Sequence, residues 1–303
     1  LASPDIDGND TVDLVDYGSF SGSWLSATNT YDINGDGVFD TADLIYIANE
    51  WLRTPADYVG YTLVWSDEFD GTEIDHSNWQ HEVGDSWYNN ELQSYTPRPH
   101  NSYVADGDLV IVALNESYGG NQFTSARMIT RSKADFKYGR IEARMKLPGG
   151  GGMWPAFWMM PTHSLYGSWA ASGEIDIMEA ANTPTWIAGN IHFGGESPLN
   201  NSSGSTKYYG GGEDFSQDYH VYSLEWDPTE IRWFCDGNWY KTETNWWTGS
   251  YSDNSTFPAP FDEEFYIILN VAVGGNYPGC LDPSCITATF PQEMRVDYVR
   301  VYQ

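Results

Sequence analysis

Three carboxylates lie close together in one short apolar segment, Gly173–Ala180. The segment reads Gly-Glu-Ile-Asp-Ile-Met-Glu-Ala and has the character of a β-strand. Side chains on a strand alternate between its two faces, so Glu174 and Asp176 share one face, whereas Glu179 has the opposite parity. Two neighbouring carboxyl groups, one ionised and one protonated, can cleave a glycosidic bond, the first as nucleophile and the second as acid and base.

A β-bulge would return the third carboxylate to the face of the other two. One extra residue around Ile177 or Met178 reverses the alternation, so Glu179 again points to the side of Glu174. Three acids on one face, with no Lys or Arg beside them in sequence, cost free energy that functional sites tolerate. The alternative interpretation is an edge strand with a solvated acidic face.

The chain around this segment is rich in tryptophan. Gly149–Pro161 reads Gly-Gly-Gly-Gly-Met-Trp-Pro-Ala-Phe-Trp-Met-Met-Pro, and Trp169 follows shortly before Glu174. Aromatic rings offer flat platforms for the apolar faces of sugar rings. We therefore predict a carbohydrate cleft in which Trp154, Trp158 and Trp169 stack on sugars. Core packing is the alternative role for these rings, above all for Trp158.

These motifs resemble glycoside hydrolase family 16, and specifically its bacterial laminarinases. The resemblance runs from about Tyr61 to Gln303 and rests first on Glu-x-Asp-x-x-Glu after Trp-Pro-Ala-x-Trp. Further matching segments are Leu-Val-Trp-Ser-Asp-Glu-Phe (63–69), Asn-Asn-Glu-Leu-Gln-Ser-Tyr-Thr (89–96), Tyr-Gly-Arg-Ile-Glu-Ala-Arg-Met-Lys-Leu-Pro (138–148), Ile-Ile-Leu-Asn-Val-Ala-Val-Gly-Gly (267–275) and Val-Asp-Tyr-Val-Arg-Val-Tyr (296–302). Each segment alone is weak, but all of them in this order are specific.

The resemblance implies a β-jelly roll whose concave sheet forms the cleft, and a retaining endo-β-1,3-glucanase that acts on β-glucan. It makes Glu174 the nucleophile and Glu179 the acid and base. Asp176 lies between them, where a hydrogen bond to Glu174 and its own charge would help keep a proton on Glu179. The resemblance also implies substrate-binding roles for Asn90, Glu91, Arg127 and His192.

Two other functions remain open. A mixed-linkage β-1,3/1,4-glucanase is disfavoured, because the family's strict members of that type read Glu-x-Asp-x-Glu. Agarases and carrageenases share the bulge but lack the Trp-Pro-Ala-x-Trp context. A noncatalytic β-glucan-binding protein is the alternative of a different class, although such relatives usually lose a catalytic acid and this chain has all three.

Charge narrows the choice of partners. The 303 residues include 14 Lys and Arg against 43 Asp and Glu, a net charge of −29. Nucleic acid and anionic membranes are poor partners for such a surface, and sulfated galactans would be repelled. The segments Gly149–Pro161 and Trp169–Ala180 contain no Lys or Arg to offset a sulfate. No apolar run approaches the length of a membrane span, which predicts no membrane insertion, and no signal peptide is visible. Because the sequence begins at Leu1 and not at Met, we expect a mature or trimmed product. We also expect a secreted monomer without a catalytic cofactor.

The three cysteines divide unevenly. Cys280 and Cys285 bracket Leu-Asp-Pro-Ser in a loop rich in Gly and Pro, which predicts a disulfide in an extracellular protein. Two free thiols are the alternative. Cys235 lies in a strand-like run and is predicted to be a buried free thiol.

The first 52 residues contain an internal repeat, with copies that begin at Asp5 and Asp32. Each copy is an oxygen-rich loop followed by apolar residues at helical spacing. The loops have the calcium-ligand spacing of an EF-hand, with Asp in place of the final Glu. The predicted ligands are Asp5, Asp7, Asn9, Thr11 and Asp16 in the first loop and Asp32, Asn34, Asp36, Val38 and Asp43 in the second.

This pair of units resembles a type I dockerin, which implies structural calcium and a cohesin-type partner. A solvated acidic linker is the alternative. Asp10 stands where the second loop has Gly37, and the turn there favours glycine, so the first site is expected to be weaker. We divide the chain into a dockerin-like module (1–53), a linker (54–60) and a catalytic domain (61–303). The family-16 resemblance implies one more calcium on the convex face, held by Glu68, the Gly107 carbonyl and Asp297.

Beyond Gly60 the sequence consists of short β-prone runs separated by turn signals. The predicted strands are 109–114, 139–147, 174–179, 219–226, 230–235, 265–273 and 294–302. Asp106-Gly107 and Asp236-Gly237 suit tight hairpins. The pattern predicts an all-β domain built as an antiparallel two-sheet sandwich, preceded by the small α-helical calcium-loop module.

Overall fold

Apolar residues at strand periodicity form nineteen strands in the part of the chain that the computed structural model describes, residues 60–204, 206–212, 214–249 and 256–303. The strands are β1 Leu63–Asp67, β2 Gln80–His81, β3 Gln93–Tyr95, β4 Ser102–Ala105, β5 Asp108–Tyr118, β6 Asn121–Ser125, β7 Arg127–Ile129, β8 Asp135–Phe136, β9 Gly139–Lys146, β10 Met153–Pro161, β11 Glu174–Glu179, β12 Ile187–Gly194, β13 Asn200–Ser202, β14 Thr206–Tyr208, β15 His220–Trp226, β16 Ile231–Cys235, β17 Asn238–Glu243, β18 Phe265–Val273 and β19 Gln292–Tyr302. Short 3-10 turns cover Tyr88–Asn90, Gly210–Gly212 and Pro283–Cys285. The dockerin-like module (1–53) and nearly all of the linker lie outside the described residues, so both stay predictions.

The strands form two sheets that pack face to face. The ten-stranded sheet has the order β17-β16-β15-β9-β19-β5-β6-β3, with β1 on β19 and β4 on β5. The nine-stranded sheet has the order β13-β12-β11-β10-β18-β7-β2, with β14 on β12 and β8 on β18. The predicted all-β sandwich is confirmed, except that β3 pairs with β6 in parallel. In the described residues, no helix is long and apolar enough to span a membrane.

One large apolar core fills the space between the sheets. Phe157 and Met159 of β10 are buried in it, as are Leu269 and Val271 of the neighbouring β18. Because side chains alternate along a strand, the residues between them face the other side of the nine-stranded sheet. That outer face, which we call the cleft face, is where the functional side chains lie.

The bulge expected in β11 is present. The register of β11 against β12 shifts between Asp176 and Glu179. The two intervening residues, Ile177 and Met178, are both buried in the core. The strand therefore carries one residue more than its partner, which returns Glu179 to the face of Glu174.

Two hairpins and the cysteines also agree with the sequence. Asp106-Gly107 joins β4 to β5, and Asp236-Gly237 joins β16 to β17; all four residues have positive φ, as tight hairpin turns require. Cys280 and Cys285 form a disulfide, and Cys235 is a buried free thiol.

A tryptophan of the ten-stranded sheet reaches across the core to the back of the bulge. Trp233 of β16 is fully buried, and its Nε1 donates a hydrogen bond of 2.8 Å to the carbonyl of Asp176. Its indole crosses Gly189 of β12 so closely that a Cβ there would lie 2.3 Å from Cδ1 of the ring. Only glycine leaves room for this approach.

We predict that Gly189→Ala destabilises the sandwich by about 1–3 kcal/mol, because the added methyl group overpacks a filled core. Thermal unfolding followed by tryptophan fluorescence should show a lower Tm. Gly71→Ala is the matched control, since its Cβ would meet only the Glu73 backbone at 3.5 Å. An unchanged Tm in Gly189→Ala would contradict the packing described here.

Candidate active site

Strand β11 presents Glu174, Asp176 and Glu179 to the cleft face. Asp176 and Glu179 are 3% and 9% exposed, and the Glu174 side chain is 15% exposed. Burial is the largest cause of the raised pKa of each group, which reaches about 8 for Glu174, about 7 for Asp176 and about 8 for Glu179. The negative charge of Asp176 adds to the rise in the pKa of both glutamates.

Each glutamate accepts a hydrogen bond from a tryptophan. Trp169 Nε1 donates to Glu174 Oε2 at 2.8 Å, and Trp154 Nε1 donates to Glu179 Oε1 at 2.9 Å. Both bonds favour the ionised carboxylate and so partly oppose the rise in pKa. Oδ2 of Asp176 is buried without a hydrogen-bond partner among the described residues. The expected bond from Asp176 to Glu174 is therefore absent at this atom.

His192 lies at the nucleophile end of the cluster. Its Nε2 is 3.6 Å from Glu174 Oε1 and 3.5 Å from Asp176 Oδ2. The ring also lies against Trp169, with centroids 5.4 Å apart. The sequence suggested a substrate-binding role for His192, and the structure places it directly beside two of the carboxylates.

This arrangement can hold one carboxylate ionised and another protonated. Three buried acids cannot all ionise cheaply, so they share protons and titrate as one coupled set. A site of this kind offers both a nucleophile and a proton donor at the same pH, which is the requirement for double displacement at a glycosidic carbon.

A row of residues crosses the cleft face through Glu179. On six neighbouring strands the aligned residues are Arg127, Asn270, Ala156, Glu179, Ala188 and Lys207. With strands about 4.8 Å apart, the row is about 24 Å long, which is room for several sugar units.

The row brings two cations to the cleft face that do not belong to the segments beside the acids. The Arg127 guanidinium lies 4.6 Å from the Trp158 ring centroid and is paired with Glu82. Lys207 Nζ lies 3.8 Å from the ring centroid of Trp186. The absence of Lys and Arg from the two flanking segments therefore does not make the whole cleft free of positive charge.

Hydrogen bonds tie the predicted binding residues of one half of the cleft together. Trp158 Nε1 donates to Asn270 Oδ1 at 2.7 Å, and Asn270 Nδ2 donates to the Tyr95 hydroxyl at 3.0 Å. The Tyr95 hydroxyl donates in turn to Glu91 Oε2 at 3.2 Å. Burial raises the pKa of Glu91. Trp158 is half-buried: it takes part in this network and also packs against the small buried cluster of Ile129, Tyr266 and Ile268.

The other predicted residue of this region, Asn90, donates to Asn276 Oδ1 at 2.9 Å. The next residue, Tyr277, stacks on Trp154 with ring centroids 5.1 Å apart. Tyr277 and Asn270 were not predicted. Asn270 had a signal, because a lone polar residue in the run Ile-Ile-Leu-Asn-Val-Ala-Val needs a buried partner. Tyr277 lies in a loop with no such pattern.

The convex-face residues proposed for calcium have other partners. Arg300 donates to both carboxylate oxygens of Glu68, at 3.0 and 2.8 Å. Arg144 donates to Asp297 at 2.7 Å. Gly107 lies in the β4–β5 turn. A calcium ion there would compete with two guanidinium groups, and the site stays a prediction.

Comparison with known proteins agrees with this geometry. Residues 62–303 match the family model described as "Beta-porphyranase A-D, GH16 domain". The glucan endo-1,3-beta-glucosidase A1 of Niallia circulans is 45% identical over 83% of this chain, and the match spans 39% of that protein. The glucan endo-1,3-beta-glucosidase of Cryptopygus antarcticus is 43% identical over 79% of this chain and 91% of its own length.

A solved structure gives the same answer for the fold. The laminarinase from Rhodothermus marinus superposes with a TM-score of 0.69 at 42% identity, covering 80% of this chain and 97% of that one. The matched family model, the relatives and the carboxylate cluster on the cleft face agree. The chain belongs to glycoside hydrolase family 16 and is a glycoside hydrolase of the family's β-glucanase group.

Proposed function

We propose that the chain is a secreted, retaining endo-β-1,3-glucanase that hydrolyses internal bonds of laminarin-type glucans by double displacement. The proposal rests on the bulge in β11, which brings Glu174 and Glu179 to one face of the strand with Asp176 between them. The names of the Niallia circulans and Cryptopygus antarcticus relatives support β-1,3-glucan as the substrate.

In the first step Glu174 attacks the anomeric carbon while Glu179 protonates the leaving oxygen. In the second step Glu179, now a base, activates a water that releases the sugar from Glu174. Burial, followed by the charge of Asp176, raises the pKa of both glutamates to about 8, so the cluster keeps protons at neutral pH. Each glutamate also accepts an indole N–H, so the assignment of Glu174 as nucleophile and Glu179 as acid rests on their order in the family-16 motif and not on their pKa values.

The aromatic surface favours a neutral glucan. Trp169 is 37% exposed, so part of its surface is open to a ligand at the nucleophile end. Trp154 and Tyr277 form a stacked pair at the acid end. Porphyran is the rival substrate, because the matched family model is described by porphyranases. The cations Arg127 and Lys207 each lie over an indole ring and at opposite ends of the row, so they do not form one sulfate-binding cluster.

Two alternatives are carried forward from the sequence. A mixed-linkage β-1,3/1,4-glucanase is disfavoured by the extra residue of the bulge in β11. A noncatalytic glucan-binding protein is disfavoured because all three acids are present on the cleft face. Release of reducing sugar from laminarin separates the second alternative from an enzyme.

The proposal extends to the part of the chain outside the described residues. Residues 1–53 are proposed to be a dockerin-like module with two structural calcium ions and a cohesin-type partner, joined to the enzyme by the linker 54–60.

We predict that Glu174→Ala and Glu179→Ala each remove nearly all activity without changing the far-UV circular dichroism. Loss of the acid and base should lower kcat by about 10²–10⁴-fold. Azide should rescue Glu174→Ala and give a product of inverted configuration, because a small anion can fill the place of the nucleophile. Glu73→Ala, an exposed carboxylate, is the control. Near-normal turnover in either variant would reject the assignment.

We predict laminarin to be a far better substrate than carrageenan or porphyran. Initial rates at matched sugar concentration, with the first anomer followed by NMR, should show internal cleavage and retained configuration. Faster turnover of a sulfated galactan would reject the substrate, and an inverted first product would reject the mechanism.

We predict that the full chain binds two more calcium ions than a chain that begins at Gly60, with the second loop the tighter site. Acidic ligands repel one another without metal, so chelation should unfold the module. Calorimetric titration of both chains measures the difference. Equal calcium binding by the two chains would reject the dockerin-like interpretation.

A further inference from the structure

A buried lysine from the opposite sheet lies behind the active site. Lys241 of β17 has a side chain only 3% exposed. Its Nζ donates to the carbonyls of Gly189 and Gly204 at 3.0 and 3.3 Å, and to Ser203 Oγ at 2.6 Å. Three acceptors match the three N–H groups of an ammonium, so the site is built for the charged form.

Hydrogen bonds lead from this ammonium to the catalytic cluster. Ser203 Oγ lies 2.9 Å from Asn190 Oδ1, and Asn190 Nδ2 lies 3.1 Å from His192 Nε2. His192 Nε2 is the atom that lies within 3.6 Å of Glu174 Oε1 and 3.5 Å of Asp176 Oδ2. We call Lys241, Ser203, Asn190 and His192 the relay.

The lysine fixes the direction of every bond in the relay. An ammonium only donates, and Ser203 Oγ also accepts from the Ile191 N–H at 3.4 Å, so its own hydrogen must go to Asn190 Oδ1. The amide of Asn190 then presents its Nδ2 hydrogen to His192. Nε2 of His192 must accept, and a neutral ring must carry its proton on Nδ1.

The distances to the carboxylates leave the ring orientation to the relay. His192 Nε2 lies 3.5 Å from Asp176 Oδ2 and 3.6 Å from Glu174 Oε1, both longer than a normal hydrogen bond, whereas Asn190 Nδ2 lies 3.1 Å from it. His192 Nδ1 is buried without a partner among the described residues, which costs free energy that the ordered relay must offset.

We infer that Lys241 is a positioning residue that acts through Ser203 and Asn190 to hold His192 as a hydrogen-bond acceptor, which keeps its proton away from the nucleophile Glu174. The inference rests on the roles proposed for Glu174 and Glu179. An Nε2–H beside Glu174 would tie up the attacking oxygen. It would also stabilise the ionised carboxylates and draw the shared proton from Glu179.

Carboxylates face both ends of the relay. Glu243 faces Lys241 at 3.7 Å, and both Glu243 and Asp176 partly offset the burial that lowers the lysine pKa to about 8. The carboxylates of Glu174 and Asp176 face His192, and Glu179 completes the cluster. Trp233, whose ring centroid lies 4.6 Å from Lys241 Nζ, carries no charge.

The tautomer of His192 tests the inference without an activity assay. In protein labelled with ¹⁵N on histidine, two-bond proton–nitrogen correlation spectra distinguish Nδ1–H, Nε2–H and the cation. The chain has six histidines, so His192→Gln assigns the signal. At pH 7 we expect Nδ1–H in the parent protein, and Nε2–H in Lys241→Met and in Ser203→Ala. Nε2–H or the cation in the parent, or a tautomer that is the same in the parent and in both variants, overturns the inference.

The pH profile of laminarin hydrolysis tests whether Lys241 also affects catalysis. In Lys241→Met the ionised carboxylates gain the Nε2–H of His192 as a hydrogen-bond donor, which lowers the pKa of the catalytic acid. The basic limb of kcat/KM should therefore move to lower pH by about one unit. KM should stay the same, because Lys241 lies in the core and not in the cleft. Ser203→Ala should shift the limb likewise, and Ser203→Thr, which keeps a hydroxyl, should restore it.

Lys137→Met, at an exposed lysine, is the control and should leave the profile unchanged. If Lys241→Met does not fold, the Ser203→Ala and Ser203→Thr pair decides. A basic limb that stays in place in Ser203→Ala, or that moves equally in Ser203→Thr, overturns the inference. If laminarin is not a substrate, the tautomer still reports on the relay, so failure of the proposed function and failure of this inference are distinguishable.

Discussion

The active site depends on one extra residue in β11. Because Ile177 and Met178 both enter the core, the three carboxylates of the segment share the cleft face. The bulge is held from behind, where Trp233 of the opposite sheet donates to the Asp176 carbonyl. Gly189 leaves room for that indole. The catalytic geometry is therefore a property of the packed sandwich and not of the strand alone.

The same burial that prepares the site costs stability. A carboxyl group whose pKa is higher in the folded than in the unfolded protein stabilises the fold below its unfolded pKa, and this contribution disappears as pH rises through the folded pKa. For Glu174 and Glu179 that window runs from the ordinary glutamate pKa of 4.5 to about 8. The two indole N–H bonds and the Lys241 ammonium limit the cost and do not remove it.

Much of the fold and the heart of the site could be predicted from the sequence, because strand alternation and turn chemistry are local. The run at β11 contained both the acids and the parity argument for a bulge. Strand β10 was missed, because Met153–Pro161 is covered on both faces and so shows no alternation, and it contains a proline. Lys207 and Lys241 were missed for another reason: neither lies beside the acids in sequence, and only the folded sheets bring Lys207 next to Ala188 and Lys241 against the Gly189 carbonyl. The calcium loops lie outside the described residues and stay predictions.

The central claim is that buried carboxylates on the cleft face hold a proton on Glu179 at the pH at which the enzyme works. Carbon-13 NMR of the glutamate side-chain carboxyls, titrated from about pH 3 to 10, measures this directly. Two glutamates should titrate far above the ordinary glutamate pKa of 4.5, with the signals assigned by Glu174→Gln and Glu179→Gln. If both glutamates titrate near 4.5, neither holds a proton at neutral pH, and the account of the site is wrong.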